Sequence, residues 1–158
     1  MTKPFLAVFM AIVTWVLLLP GLLIRDRTGS LSPPWRALLL VALAVIILAI
    51  GCWLIWTAAS QLVAGGISPF AAHPGPVLLT DGLYGRVRNP MDLGNLLVAL
   101  APAVAVNVVA VWIVPLAAFL YYAVGRGPLE NYYLREKFED RFDDYRARVP
   151  SWTPRWNR

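Results

Sequence analysis

Leu93 to Gly125 is a run of thirty-three residues without a charged side chain, and few folds can hold it. As one helix rising about 1.5 Å per residue it would reach about 50 Å, which overshoots a hydrocarbon core of about 30 Å yet falls short of two full crossings. A helical hairpin with short arms resolves the mismatch. Pro102, Asn107 and Pro115 interrupt the run. Asn107 is the natural tip, with one arm over about 93–106 and the other over about 108–124.

Two further apolar runs precede it. Phe5–Ile24 holds twenty uncharged residues, long for the core of a signal peptide at about 7–15 residues. The Arg25-Asp26-Arg27 that ends it is no small-residue cleavage site, so the run is expected to be retained as a first span. A second span is expected over about 36–59, with Trp35, Trp53 and Trp56 near its ends, where indole rings favour the membrane interface. Only 15% of the 158 residues are charged, well below the quarter or so typical of soluble domains. The expected fold is therefore all-α: a single polytopic integral membrane domain over 1–158 with about four transmembrane helices. Residues 60–81 mix Gly65-Gly66, Pro69, Pro74, Gly75 and Pro76 and are expected to form a loop. Cys52 is the sole cysteine and lies in an apolar run, so an internal disulfide is excluded and no metal cluster is visible.

After Gly125 the chemistry changes. Residues 126–158 hold eight of the fourteen Lys and Arg and six of the nine Asp and Glu. Leu134, Phe138, Phe142, Tyr145 and Val149 recur at helical spacing and make one apolar stripe on a charged, amphipathic C-terminal helix over 127–158. Such a helix either lies on lipid headgroups or packs over the hairpin as a lid. Pro150 disfavours helix at Val149, and the chain is expected to run extended from there. With four crossings, both termini share a side with the loop, and eleven Lys and Arg fall there against Arg25, Arg27 and Arg36 opposite. That side is assigned to the cytosol of a plasma or inner membrane by the positive-inside bias. Because the basic residues are interleaved with acidic ones and flank apolar runs, they argue against nucleic-acid binding.

Polar chemistry meets lipid at Gly82-Leu83-Tyr84-Gly85-Arg86-Val87-Arg88-Asn89-Pro90-Met91-Asp92-Leu93-Gly94. Charges at the edge of a hydrocarbon layer are expensive unless they face a cavity, a partner or a ligand. Leu78-Leu79-Thr80-Asp81-Gly82-Leu83-Tyr84, then Arg88-Asn89-Pro90-Met91 and Gly94, then the hairpin, then Glu130, Leu134, Phe138, Tyr145 and Val149-Pro150-x-Trp152-x-Pro154 follow in order. In order and spacing this set resembles the integral-membrane methyltransferase superfamily, which includes isoprenylcysteine carboxyl methyltransferases and phospholipid N-methyltransferases. The resemblance implies methyl transfer from S-adenosyl-L-methionine, entering from the cytosol, to a lipophilic, lipid or lipid-modified acceptor in the bilayer. It carries a cofactor site to the loop at 65–92 and the start of the tail: Arg88, Asn89, Pro90, Gly94, Glu130 and Asn131, with Leu78, Leu79 and Tyr84 on the adenine side. The residue types suit such a cofactor, whose amino group seeks a carboxylate such as Glu130 and whose carboxylate seeks a cation such as Arg88. No glycine-rich strand-turn-helix fingerprint exists in the chain.

Asn89 stands where the superfamily often has His, and Glu130-Asn131 stands for its acidic pair. Asp92 stands where it usually has Tyr. A carboxylate there either strengthens cofactor binding, contacts an acceptor amine, or serves only as a favourable charge at a helix N-terminus. Arg88, Glu130 and Asp92 are the candidate catalytic groups, and Arg86 or Arg126 a candidate to orient an acidic acceptor. Arg86 reads equally as a headgroup contact. His73 is not expected to take part; Tyr121, Tyr122, Tyr132 and Tyr133 read as interface aromatics, and Trp152 and Pro154 as tail anchors. Two rival functions use the same residues: a nicotinamide-dependent membrane reductase of related fold and a non-catalytic membrane adaptor.

Overall fold

The computed structural model describes residues 34–69 and 75–153. The expected first span at 5–24, His73 and Pro154 lie outside them. The described residues are all helix, turn and loop, without a strand.

Helix α1 runs over Pro34–Ala64. Proline opens it, where its missing N–H costs nothing. Its stop comes five residues later than the expected boundary at 59, because Ser60 to Ala64 contain no helix breaker and Gly65-Gly66 does. Gly66 takes φ +71°, and Ile67 N donates back to Leu62 O at 2.8 Å, the six-to-one bond that closes a helix on a left-handed residue. α1 is long and apolar enough to cross a bilayer. Most of its large side chains face outward, Leu38 at 70% and Trp56 at 76% exposure.

Helix α2, Pro90–Val106, begins at the proline of the Arg-Asn-Pro segment. Asn107 ends it with φ 51° and ψ 39°, its N–H donating to Ala103 O at 2.9 Å. The expected hairpin tip is thus the observed one. Asparagine is among the few residues that enter the left-handed region cheaply, and Ala103, Val106 and Val111 close the tip in a small apolar cluster. α2 packs on α1 where two glycines meet. A methyl on Gly94 would stand 2.8 Å from Gly51 O, and one on Gly51 would stand 2.9 Å from Gly94 O. Small residues at a crossing let two backbones approach where lipid supplies no hydrophobic drive to hold helices together.

The returning arm departs from expectation. A 3-10 turn at Val109–Trp112, helix α3 at Ile113–Leu120, a π turn at Tyr121–Arg126 and helix α4 at Gly127–Phe138 follow without interruption. This second rod of bilayer length runs over Val109–Phe138, so the arm and the first part of the charged tail are one object. The π turn has a local cause. Pro128 offers no N–H to the carbonyl four residues back, and the ladder widens instead, with Gly127 N donating to Tyr122 O. Gly127 tolerates this because a methyl there would lie 2.6 Å from that carbonyl.

The stripe of apolar residues is likewise not carried by one helix. The chain breaks at Glu139, with φ 49° and ψ −127°, before a short helix α5 at Asp140–Arg148. Arg135 reaches across the break to Asp143 at 3.0 Å. The fold-back still gathers the stripe: Phe142, Tyr145 and Val149 are buried together against Leu78, Leu134 and Phe138. They cover the loop leading into α2 and do not lie free on a surface.

Gly94→Ala is expected to force α1 and α2 apart, costing about 1–3 kcal/mol and lowering the thermal midpoint in detergent. Gly125→Ala, where an added methyl meets nothing within 4 Å, is expected to leave the midpoint unchanged or slightly raised.

Candidate functional site

A cleft of about 170 Å³ opens where the end of α1, the loop at 75–89, the start of α2 and helices α4 and α5 converge. Its lining divides by chemistry. Leu62, Ile67, Val77, Leu78, Leu79, Leu134 and Phe142 give it an apolar wall, while Arg88, Asn89, Asp92, Arg126, Glu130 and Asn131 give it a charged and amide-rich one.

The charged wall is organised by Arg126. Its Nη1 donates to Asp92 Oδ1 and its Nη2 to Glu130 Oε2, each at 2.7 Å. One guanidinium therefore clamps a carboxylate from the first turn of α2 and another from α4, one turn further along its own rod. Asp92 is 3% exposed and could not hold a charge there without such a partner. The π turn places Arg126, and the Tyr122 ring lies 5.9 Å beneath its guanidinium carbon, a cation–π contact.

Arg88 is held separately. Its backbone N donates to Pro150 O at 2.9 Å, its Nη1 to Asn131 Oδ1 at 3.3 Å and its Nη2 to Ser151 Oγ. The buried Nε finds no acceptor among the described residues. Burial first, and repulsion from Arg146 second, hold the guanidinium below the ordinary arginine range; arginine nonetheless stays protonated in proteins. A fixed cation with one unused, buried donor is what an anionic ligand group completes.

Tyr145 Oη donates to Tyr84 O at 2.6 Å, pinning α5 to the loop. Burial raises both phenols above the ordinary tyrosine range; the charges of Glu130 and Asp92 add to the effect at Tyr84, and Arg88 opposes it at Tyr145. Both stay neutral at working pH. Gln61 Oε1 accepts from Leu83 N at 3.2 Å, which ties the end of α1 to the same loop.

Of the residues singled out from sequence, Leu78, Leu79, Tyr84, Arg88, Asn89, Pro90, Asp92, Glu130 and Asn131 line one cleft. Gly94 does not; it sits at the crossing with α1. Arg86 is exposed and outside the cleft. Asp92 is more than a favourable charge at a helix start, because it is buried and ion-paired. Arg126, named from sequence as a candidate to orient an acceptor, lines the cleft too, as do Leu134 and Tyr145 of the motif; Tyr133 and Phe142 join them beyond the residues named for the site. The clamp Arg126 makes on both carboxylates was not expected, its available signal being the four-residue spacing from Glu130. Trp152 anchors the tail as expected, its ring 6.3 Å from Phe119.

The fold and cleft define a helical protein with two bilayer-length rods and a half-apolar, half-charged pocket at their polar ends. The phospholipid methyltransferase family model matches residues 39–141, which span α1, the loop, the hairpin and α4; the chain belongs to that family of methyltransferases. No curated protein and no solved structure matches the chain.

Removing one member of a buried ion pair leaves the other uncompensated. Arg126→Met, which takes the guanidinium away from the buried Asp92, is expected to cost about 3 kcal/mol in denaturant unfolding, whereas adding Asp92→Leu recovers most of the loss. The phenols set a second expectation. Since their folded values are raised, their contribution is full below the unfolded value of about 10 and is lost as pH rises through the folded one. Stability should fall above about pH 10. Tyr145→Phe should make that fall shallower and cost about 1 kcal/mol at neutral pH.

Proposed function

We propose that the chain transfers a methyl group from S-adenosyl-L-methionine to a lipid-class acceptor, binding the cofactor in the cleft from the cytosolic side and taking the acceptor from the bilayer. The observation that carries this reading is the division of the cleft, an apolar wall facing a charged one, on a chain of the phospholipid methyltransferase family. The same family match favours it over the reductase that would use a similar mouth.

The residues present fit the cofactor. The uncommitted buried Nε of Arg88 suits its carboxylate, and Glu130 with Asn131 suits its amino group and ribose hydroxyls. The wall at Leu78, Leu79, Leu134 and Phe142 suits adenine, a flat ring gaining from burial against apolar side chains. When bound, the cofactor supplies a methyl group activated on a sulfonium. The protein's part is alignment, electrostatics and exclusion of water. Arg126 holds Asp92 and Glu130 in fixed positions, so their negative potential is present before any ligand arrives. The gathered stripe of α4 and α5 covers the cleft from the solvent side.

Arg88, Glu130 and Asp92 are the residues in line for direct roles. A carboxylate acceptor requires no base. An amine acceptor passes its proton to Glu130, the more exposed of the paired carboxylates, or arrives already neutral. The positive-inside distribution supports a topology of about four crossings, the run at 5–24 included, with both termini in the cytosol of a plasma or inner membrane.

Thermal-shift titration of the detergent-solubilised protein with S-adenosylmethionine, S-adenosylhomocysteine and NADPH tests the reading. The first two are expected to stabilise, by about 2.7 kcal/mol at a hundred times Kd, and NADPH is not. Arg88→Ala and Glu130→Ala are each expected to abolish the shift, while Arg86→Ala retains most of it. An unchanged shift in both of the first pair refutes the site.

A further inference from the structure

Arg88 is held from behind by a stretch of chain that does not line the cleft and lies beyond the matched family segment, which ends at residue 141. After α5, Val149 turns extended, with φ −116° and ψ 119°. Pro150 then meets the Arg88 backbone through its carbonyl. The Ser151 hydroxyl oxygen accepts from Arg88 Nη2, while Asn131 Oδ1 accepts from Nη1. The segment is fixed on both sides of that serine. Val149 is buried with Phe142 and Tyr145, and Trp152 packs against the cluster of Ala99, Ala118 and Tyr122 in the hairpin arms.

We propose that Ser151 is a positioning residue for the cofactor site: anchored through Val149 and Trp152, its hydroxyl fixes the Arg88 guanidinium so that the Nε donor is left for the cofactor carboxylate. An arginine side chain has about 2 kcal/mol of rotamer entropy to lose, and donors already immobilised spare the ligand that cost. Two of the guanidinium nitrogens are committed, one to α4 and one to the tail, and only the third lacks an acceptor. Ser151 itself is half-exposed and small, so its contribution passes through Arg88 and not through packing. The inference rests on the methyl-transfer reading above.

Calorimetric titration of the full chain in detergent with S-adenosylhomocysteine tests it, alongside thermal unfolding without ligand. Ser151→Ala is expected to raise Kd about ten-fold, equivalent to about 1.4 kcal/mol, with the ligand-free midpoint unchanged. Ser151→Thr, which keeps the hydroxyl, restores the affinity. An unchanged Kd for Ser151→Ala while the wild type binds overturns this proposal alone. So does an affinity loss that comes with a lowered ligand-free midpoint or that threonine fails to rescue. A wild type that binds no S-adenosylhomocysteine overturns the methyl-transfer reading and this proposal together.

Discussion

The buried contact between Asp92 and Arg126 is the constraint around which the site is arranged. It joins the first turn of α2 to the far end of the returning arm at 2.7 Å, so the polar ends of the two hairpin arms are fixed to each other. At the opposite end, Asn107 and the cluster of Ala103, Val106 and Val111 fix the tip. Neither charge is tolerable alone at such depth, and ion pairs of this kind carry little net stability because desolvation offsets attraction. What the pair supplies is position. Arg126 can occupy its place only because the ladder widens before Pro128, so a proline that removes one hydrogen bond helps to set the electrostatics of the cleft.

The remaining polar groups follow from that frame. With Arg126 committed to both carboxylates, Arg88 is the cleft cation left with a buried nitrogen to spare: α4 takes its Nη1, the tail takes its Nη2, and Nε lacks an acceptor among the described residues. The apolar wall comes from chain stretches distant in sequence: the end of α1, the loop at 77–79, and the stripe folded back by Glu139. A cleft with one greasy side and one charged side beside bilayer-length helices suits the proposed transfer from a water-soluble, partly aromatic cofactor to an acceptor in lipid. Membership of the phospholipid methyltransferase family agrees with that division of labour.

Much of the fold was legible because its signals are local. The uncharged run was the wrong length for anything but a hairpin, and Asn107 was the one residue near its middle suited to a left-handed reversal. Pro90 announced the start of α2 and Gly65-Gly66 the end of α1, although the boundary was expected five residues early. The break at Glu139 was not legible: the apolar spacing runs through it at helical intervals, and no glycine or proline marks a residue that nonetheless takes φ 49°. Arg88 and Glu130 emerged from motif and charge type. The partner of Asp92 and the role of Ser151 depend on contacts across 34 and 63 residues, which no local pattern encodes. Gly94 belonged to a matched motif, yet its position is explained by the helix crossing at Gly51.

Transfer of label from methyl-labelled S-adenosylmethionine into a total membrane extract, followed by separation of lipid and protein fractions, decides whether the chain methylates a lipid. Label is expected in the lipid fraction, dependent on this chain. A wild-type protein that binds the cofactor but leaves the lipid fraction unlabelled would contradict lipid methylation.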